Sequence, residues 1–182
     1  LYITIIILMH ILSNLFKFFI YTILYSLVST NSMAISSDWS VSETSKLRLI
    51  SPYSQNDGKN LLIGLEYEME PGWKTYWKSP GDGGFAQSIS WENSTNVQNV
   101  NIQWPTPIEF EILGLTSLGY QNDVIFPLEI ELENKLKNTF LNLHVNFLIC
   151  KEVCIPGDAT LFLEISSGEK KLTDNYFNLE KA

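Results

Sequence analysis

Histidine and cysteine are scarce in this chain, which has two of each among its 182 residues. His144 is the only histidine after the first 34 residues, and on an extended strand it would stand roughly 20 Å from Cys150. A structural zinc ion needs about four ligands from cysteine, histidine or carboxylate side chains. The scarcity therefore excludes a zinc site that joins the cysteines to a histidine.

Basic residues are also few. The chain has 12 lysines and arginines against 20 aspartates and glutamates, and its net charge is -8. Nucleic acids and anionic membrane surfaces attract proteins of the opposite charge. We therefore exclude nucleic acid as a partner, and we interpret the acidic surface as a source of solubility or as a means of steering a basic partner.

Acidic residues are absent from residues 1–34, which contain an apolar run over 15–28. Small side chains at Ser32 and Ala34 match the pattern that signal peptidase recognises, so cleavage is predicted after Ala34. The alternative is an uncleaved anchor in the inner membrane, because the apolar run nearly suffices to span a bilayer. The leader has no cysteine for lipid attachment. In either case the domain is exported to a compartment where disulfides form.

Helical periodicity is missing after the leader, and apolar residues alternate with polar ones instead. About eight short strands separated by turn residues predict an all-β sandwich over residues 35–168, followed by a short tail over 169–182 that is either helical or frayed. Segments 79–84 and 110–120 are glycine-rich and are predicted to be a loop and a connection. The predicted strands are 46–50, 61–69, 73–78, 88–91, 97–104, 123–132, 139–149 and 159–165.

Cys150 and Cys154 lie four positions apart, at the end of the strand 139–149 and just before Pro156. The odd-numbered residues from Leu141 to Ile149 are apolar and form the core face of the strand, so Cys150 leaves the strand on the other, less apolar face. Both sulfurs are therefore expected to be accessible. Lys151 would favour a thiolate at Cys150, whereas Glu152 would oppose it.

Three interpretations of this pair remain open from spacing alone. A redox dithiol suits a short, exposed ring, which is easier to reduce than a buried one. A structural disulfide is possible, but so small a loop adds only about 2 kcal/mol of stability, against more than about 4 kcal/mol for a bridge that spans a domain. A Cys-x-x-x-Cys pair could also hold Cu(I) in a two-coordinate site.

Four sequence blocks follow one another along the chain in an order that is typical of one protein family. They are GWKTYWKSPGDGG at 72–84, IQWP at 102–105, GY at 119–120 and CKEVCIPG at 150–157. Together they resemble the N-terminal periplasmic domain of the DsbD thiol:disulfide interchange proteins, and most of all its ScsB-like branch. The resemblance covers roughly residues 39–166.

This resemblance implies an immunoglobulin-like β-sandwich that passes reducing equivalents in the periplasm without a cofactor. The implied electron donor is a separate membrane protein of the DsbD type. The implied clients are thioredoxin-like proteins, disulfide isomerases or cytochrome c maturation factors, which would make the domain a protein-disulfide reductase. Cys150 and Cys154 would form the active dithiol, with Cys154 attacking and Cys150 resolving. Members of the family space their cysteines more widely.

The resemblance also implies a cap over the sulfurs, for which Phe110, Ile112 and Leu113 are the candidates. Trp73, Tyr76 and Trp77 are expected either to pack in the core or to dock a client. Two alternatives to the exchange function stay open. One is a non-catalytic periplasmic binding module with a structural disulfide, and the other is a protein of copper stress.

Overall fold

The computed structural model describes residues 14, 17, 35–112 and 114–181. The chain divides into two units, Leu1–Ser32 and Met33–Ala182, and the fold below is that of the second. The predicted signal peptide lies almost entirely outside the described residues. Among the residues that are described, no helix has the length and apolar character needed to cross a membrane.

The described part of the second unit consists of thirteen strands and one short helix. Most strands match the predicted ones within a few residues, and the longest is the last. The elements are β1 (Ile35–Ser36), β2 (Ser40–Val41), β3 (Ser45–Ser51), β4 (Gln55–Asn56), β5 (Asn60–Met69), β6 (Lys74–Gly81), β7 (Ser88–Ser90), β8 (Asn99–Ile102), β9 (Ile108–Ile112), β10 (Leu115–Gln121), β11 (Asp123–Glu131), β12 (Thr139–Cys150), β13 (Cys154–Ser167) and α1 (Tyr176–Glu180).

The strands form two sheets. One has the order β1-β3-β5-β11-β8, with β2 beside β3, and the other has the order β4-β13-β12-β6-β10-β9, with β7 beside β12. Within the described residues every pairing is antiparallel except that of β13 with β4. The predicted all-β, immunoglobulin-like sandwich is confirmed.

The main core lies between the two sheets and follows the alternation of the strands. The odd-numbered residues of β12 from Leu141 to Ile149 are buried, as their parity predicts. Tyr67 on β5 stacks edge-on against Phe126 and Phe147, with ring centroids 5.5 and 5.7 Å away. Each such side chain contributes about 1.5–3 kcal/mol through burial, and the main core does not include the cysteines.

Two segments predicted to be irregular contain strand residues. β6 continues through Pro80 to Gly81, and the segment 110–120 is a β-hairpin made of β9 and β10. Gly81 has a φ of 93° and allows the backbone to pass close to Thr116, while Gly114 has a φ of 77° in the hairpin turn. The predicted connection over 110–120 was wrong, and the predicted loop over 79–84 holds only for residues 82–84. The reason is that Gly81 and Gly114 mark a close approach and a tight turn within the sheet rather than its end.

Gly119 on β10 offers a test of this close packing. A Cβ atom at Gly119 would lie 2.0 Å from the carbonyl oxygen of Thr75, whereas one at Gly58 would meet nothing nearer than 4.0 Å. Gly119→Ala is therefore expected to lower the free energy of unfolding by about 1–3 kcal/mol, and Gly58→Ala by less than about 0.5 kcal/mol. Urea denaturation of both variants measures the difference, and equal losses would contradict the packing of β10 on β6.

Candidate disulfide site

The two cysteines face each other across the hairpin of β12 and β13. Cys150 and Cys154 are register partners with Cα atoms 4.1 Å apart, and their sulfurs are joined in a disulfide. Directly opposite residues of antiparallel strands present their side chains on the same face. Because Ile149 points into the main core, the disulfide lies on the outer face of the seven-stranded sheet.

The two sulfurs differ in their access to solvent. Cys154 is exposed, but Cys150 is 0% exposed, so the expectation that both are accessible is wrong for Cys150. The outer face at this end carries a second apolar cluster, in which Cys150 packs with Tyr76, Ile112 and Leu148. Strand parity correctly placed Cys150 off the core face, but it could not show that this face is covered as well.

Tyr76 is the polar neighbour of the disulfide. Its hydroxyl donates a hydrogen bond to Cys150 Sγ at 3.1 Å and lies 3.8 Å from Cys154 Sγ. The side chain is 1% exposed, and burial raises the pKa of its phenol. The hydroxyl therefore stays protonated at neutral pH and remains a donor to the buried sulfur.

Two glycines create the space that the Tyr76 ring occupies. Gly119 is its cross-strand partner on β10 and has no side chain to cover the ring. Gly84 has a φ of 84°, and a Cβ atom there would lie 2.2 Å from a ring carbon. Gly84 therefore gives the 72–84 block a packing role around Tyr76. The sequence shows this glycine but not the ring that it accommodates.

Residues of β9 cover the cluster from one side. Phe110 is half-buried, and its ring centroid lies 5.9 Å from that of Tyr76. Ile112 is buried in the cluster itself. The third cap candidate, Leu113, lies outside the described residues. Phe110 and Ile112 therefore pack in the apolar cluster that covers the disulfide. This position suits both a packing role and a role as a cap over the sulfurs.

The aromatic residues of the 73–77 block divide between the two faces of their sheet. Trp73 and Trp77 are half-buried and pack against the main core, whereas Tyr76 points outwards to the sulfurs. The alternation of an extended strand explains this separation. Of the two expectations for this block, core packing describes the tryptophans, and neither anticipates the contact of Tyr76 with the disulfide.

The charged residues next to the cysteines point to solvent. Lys151 and Glu152 are exposed in the hairpin turn, and the Lys151 ammonium donates to the carbonyl of Pro71 at 3.3 Å.

His144, on β12, has its imidazole Nδ1 3.3 Å from Thr160 Oγ1. In the part of the chain that the structure describes, no three histidine, cysteine or acidic side chains converge as metal ligands.

Exposed apolar residues flank Cys154 along the chain. Val153 and Ile155, on either side of Cys154 in the chain, are 58% and 40% exposed. Apolar side chains next to an accessible reactive group often belong to a contact surface for a partner. Such a partner would reach Cys154 without first displacing Tyr76 or Ile112.

Comparison with known proteins identifies relatives of this domain. The family model of the N-terminal part of the thiol:disulfide interchange protein DsbD matches residues 46–166. The N-terminal periplasmic domain of ScsB from Proteus mirabilis is 27% identical and superimposes with a TM-score of 0.65, over 82% of this chain and 57% of that one. The chain therefore spans a little over half the length of the ScsB domain.

A second structure is more distant. The reduced N-terminal domain of DsbD from Neisseria meningitidis is 11% identical, with a TM-score of 0.35 over 82% of this chain and 98% of that one. No match was found among curated proteins.

Proposed function

Because the chain belongs to the family of DsbD N-terminal domains, we propose that it passes reducing equivalents from a membrane donor to disulfides of periplasmic proteins. Family membership and the Cys150–Cys154 disulfide support thiol-disulfide exchange as the chemistry. Beyond that chemistry, we propose the direction of electron flow and the periplasm as the compartment. It rests most directly on one observation, which is that one sulfur is exposed while the other is buried beside a hydrogen-bond donor.

This asymmetry supports different roles for the two sulfurs. Exchange begins when a thiolate attacks one sulfur of a disulfide, and the other sulfur leaves as a thiolate. An incoming group can reach Cys154, which is exposed, but not Cys150, which is covered by Tyr76 and Ile112. Cys154 would therefore form the mixed disulfide, and Cys150 would be the leaving and resolving sulfur.

The complete cycle conserves atoms and electrons. A donor thiolate bonds to Cys154 Sγ, the Cys150–Cys154 bond breaks, and its electron pair remains on Cys150 Sγ, which then takes up a proton. The second donor thiol attacks the mixed disulfide, so that the donor leaves oxidised and both cysteines are reduced. The reverse sequence, begun by the Cys154 thiolate, reduces a client disulfide.

Thioredoxin-like proteins and disulfide isomerases are the partners that fit this chemistry. Their reactive disulfides can approach an exposed sulfur, and the exposed Val153 beside it in the hairpin provides apolar contact. The similar ScsB domain is periplasmic by its description, which supports the periplasm as the compartment. The membrane donor would be a separate protein or a separate part of a longer one.

The test is to follow electron transfer and binding separately. The reduced domain is mixed with an oxidised thioredoxin-like protein, and both are quenched by alkylation and resolved by mass. We expect the partner to be reduced while the domain becomes oxidised, and we expect Cys150→Ala/Cys154→Ala to transfer nothing. If the wild-type domain binds the partner without exchanging electrons, as a binding module with a structural disulfide would, the proposed function is wrong.

Tyr76→Phe is expected to slow the opening of the disulfide by about tenfold. Hydrogen bonds to charged groups contribute about 1.5–3 kcal/mol, and the Tyr76 hydroxyl would donate such a bond to the departing Cys150 thiolate. The matched control is Tyr120→Phe, which removes a buried hydroxyl that donates to the Pro105 carbonyl at 2.8 Å. The rate of reduction by dithiothreitol is the measurement, and an equal slowing in both variants would contradict the role of Tyr76.

A further inference from the structure

Lys74 lies directly across the strands from the buried cysteine. It begins β6, and its register partner on β12 is Cys150. Directly opposite residues on antiparallel strands have Cβ atoms about 4.5–5.5 Å apart on the same face. Lys74, Cys150 and Cys154 thus form a row across three neighbouring strands, on the outer face that carries the disulfide.

The ammonium of Lys74 contacts a backbone carbonyl and the ring of Phe110, which packs on the cluster around Cys150, and it belongs to none of the ion pairs found among the described residues. Its Nζ donates to the carbonyl of Gly72 at 3.1 Å and lies 5.6 Å from the ring centroid of Phe110. The side chain is half-buried. The ion pairs found among the described residues are Lys46–Glu68, Arg48–Glu66 and Lys59–Glu131.

The strands on either side of Lys74 add no opposing charge on this face. On β10 its partner is Gln121, which is neutral. Glu109 and Glu111 on β9 alternate with Phe110 and therefore point to the opposite face. The Tyr76 hydroxyl, on the same strand as Lys74, is protonated at neutral pH because burial raises its pKa.

The remaining charged groups lie in the hairpin or farther along it. Glu152 is exposed in the turn, where solvent screens it. Asp158 is exposed on β13, four register pairs beyond Cys154 on the same face. Lys151 is also exposed and is bonded to Pro71. Lys74 is therefore the half-buried charge nearest to Cys150 across the sheet.

We propose that the Lys74 ammonium stabilises the thiolate left on Cys150 when an incoming thiolate attacks Cys154. The inference rests on the proposed exchange function and concerns its leaving group. In that step the new bond forms at Cys154 Sγ, the electron pair of the broken disulfide goes to Cys150 Sγ, and the positive charge of Lys74 offsets the negative charge that develops there. A thiolate beside a cation forms more readily and leaves faster.

The experiment compares Lys74→Met with Lys78→Met and Lys74→Arg. Lys78 lies on the same strand, four residues farther on, with its ammonium 5.1 Å from the Trp77 ring centroid. Lys78→Met therefore removes the same charge from β6 at a position farther from Cys150. Each variant is measured with the disulfide intact and again in a Cys154→Ser background. The first form gives the rate of disulfide opening by dithiothreitol, and the second gives the pH profile of the ultraviolet absorbance of the Cys150 thiolate.

Lys74→Met is expected to slow disulfide opening about three- to tenfold at neutral pH and to move the thiolate profile towards higher pH. Lys74→Arg keeps the positive charge and should therefore have the wild-type rate and thiolate profile. Lys78→Met should leave both unchanged. The effect of Lys74→Met should shrink in high salt, because salt screens charges that are partly exposed. A role in packing alone would change the stability of the domain but would not give this dependence on charge and salt.

The inference is overturned if Lys74→Met and Lys78→Met have the same rates and the same thiolate profiles while the wild-type disulfide opens normally. It is also overturned if Lys74→Arg fails to restore the profile in a folded protein, as judged by circular dichroism. A wild-type disulfide that resists exchange altogether would instead refute the proposed function. The two failures are therefore distinguishable.

Discussion

Cys150→Ser is expected to accumulate a mixed disulfide with an oxidised thioredoxin-like protein, whereas Cys154→Ser is expected to form none at a comparable rate. In the first variant the exposed Cys154 can attack, but no second thiol is present to resolve the product. In the second the only thiol is Cys150, which is 0% exposed beneath Tyr76 and Ile112. The difference in rate should be on the order of a hundredfold or more, since access governs exchange.

Non-reducing electrophoresis and mass spectrometry of the trapped species measure this difference. The serine substitutions keep the size of the side chain, so circular dichroism should show the same fold in both variants. Faster trapping by Cys150 than by Cys154 would reverse the roles assigned to the two sulfurs. Trapping at equal rates would show that the cover over Cys150 does not limit access.

Phe110→Ala is expected to speed the reduction of the disulfide by dithiothreitol up to roughly tenfold, because it opens a path to the buried Cys150 sulfur in addition to the exposed Cys154 sulfur. The Phe110 ring is half-buried and packs over Tyr76 at 5.9 Å, so its removal opens the outer face above the sulfurs. The main core does not include Phe110. The loss of stability should therefore stay below the roughly 3–5 kcal/mol that removal of a core phenylalanine costs.

Phe162→Ala is the matched control. Phe162 is 51% exposed on the same sheet and stacks on Phe140 at 6.2 Å, near the other end of β12 and β13. Its loss removes a similar aromatic surface without uncovering the disulfide. If Phe110→Ala leaves the reduction rate unchanged, the ring is packing and not a cover.

Much of the fold could be predicted from local patterns in the sequence. The alternation over 139–149 identified both the strand and its core face, because a strand buried on one face alternates with a period of two. The segment 110–120 was harder, since its glycines are equally typical of a loop and of a tight hairpin with a bulge. Only the pairing of β9 with β10, and of β10 with β6, distinguishes the hairpin from a loop.

The environment of the sulfurs could be predicted only in part. Spacing and the order of four sequence blocks pointed to Cys150 and Cys154, and strand parity showed which face Cys150 takes. Its burial depends on Tyr76, 74 residues earlier in the chain, and on β9 folding over both. Contacts so distant along the chain leave no periodic signal, so neither the hydroxyl donor nor the cross-strand Lys74 could be identified before the strands were paired.

The central claim is that the Cys150–Cys154 disulfide is a reversible dithiol rather than a structural bridge. The most direct measurement is alkylation of the purified domain after equilibration across a series of glutathione redox buffers, extended to lower potentials with dithiothreitol. Reversible exchange predicts a two-electron transition at a potential above about -300 mV, with both cysteines alkylated on the reducing side. A disulfide that stays closed below about -300 mV, in the range of structural bridges, would contradict the claim.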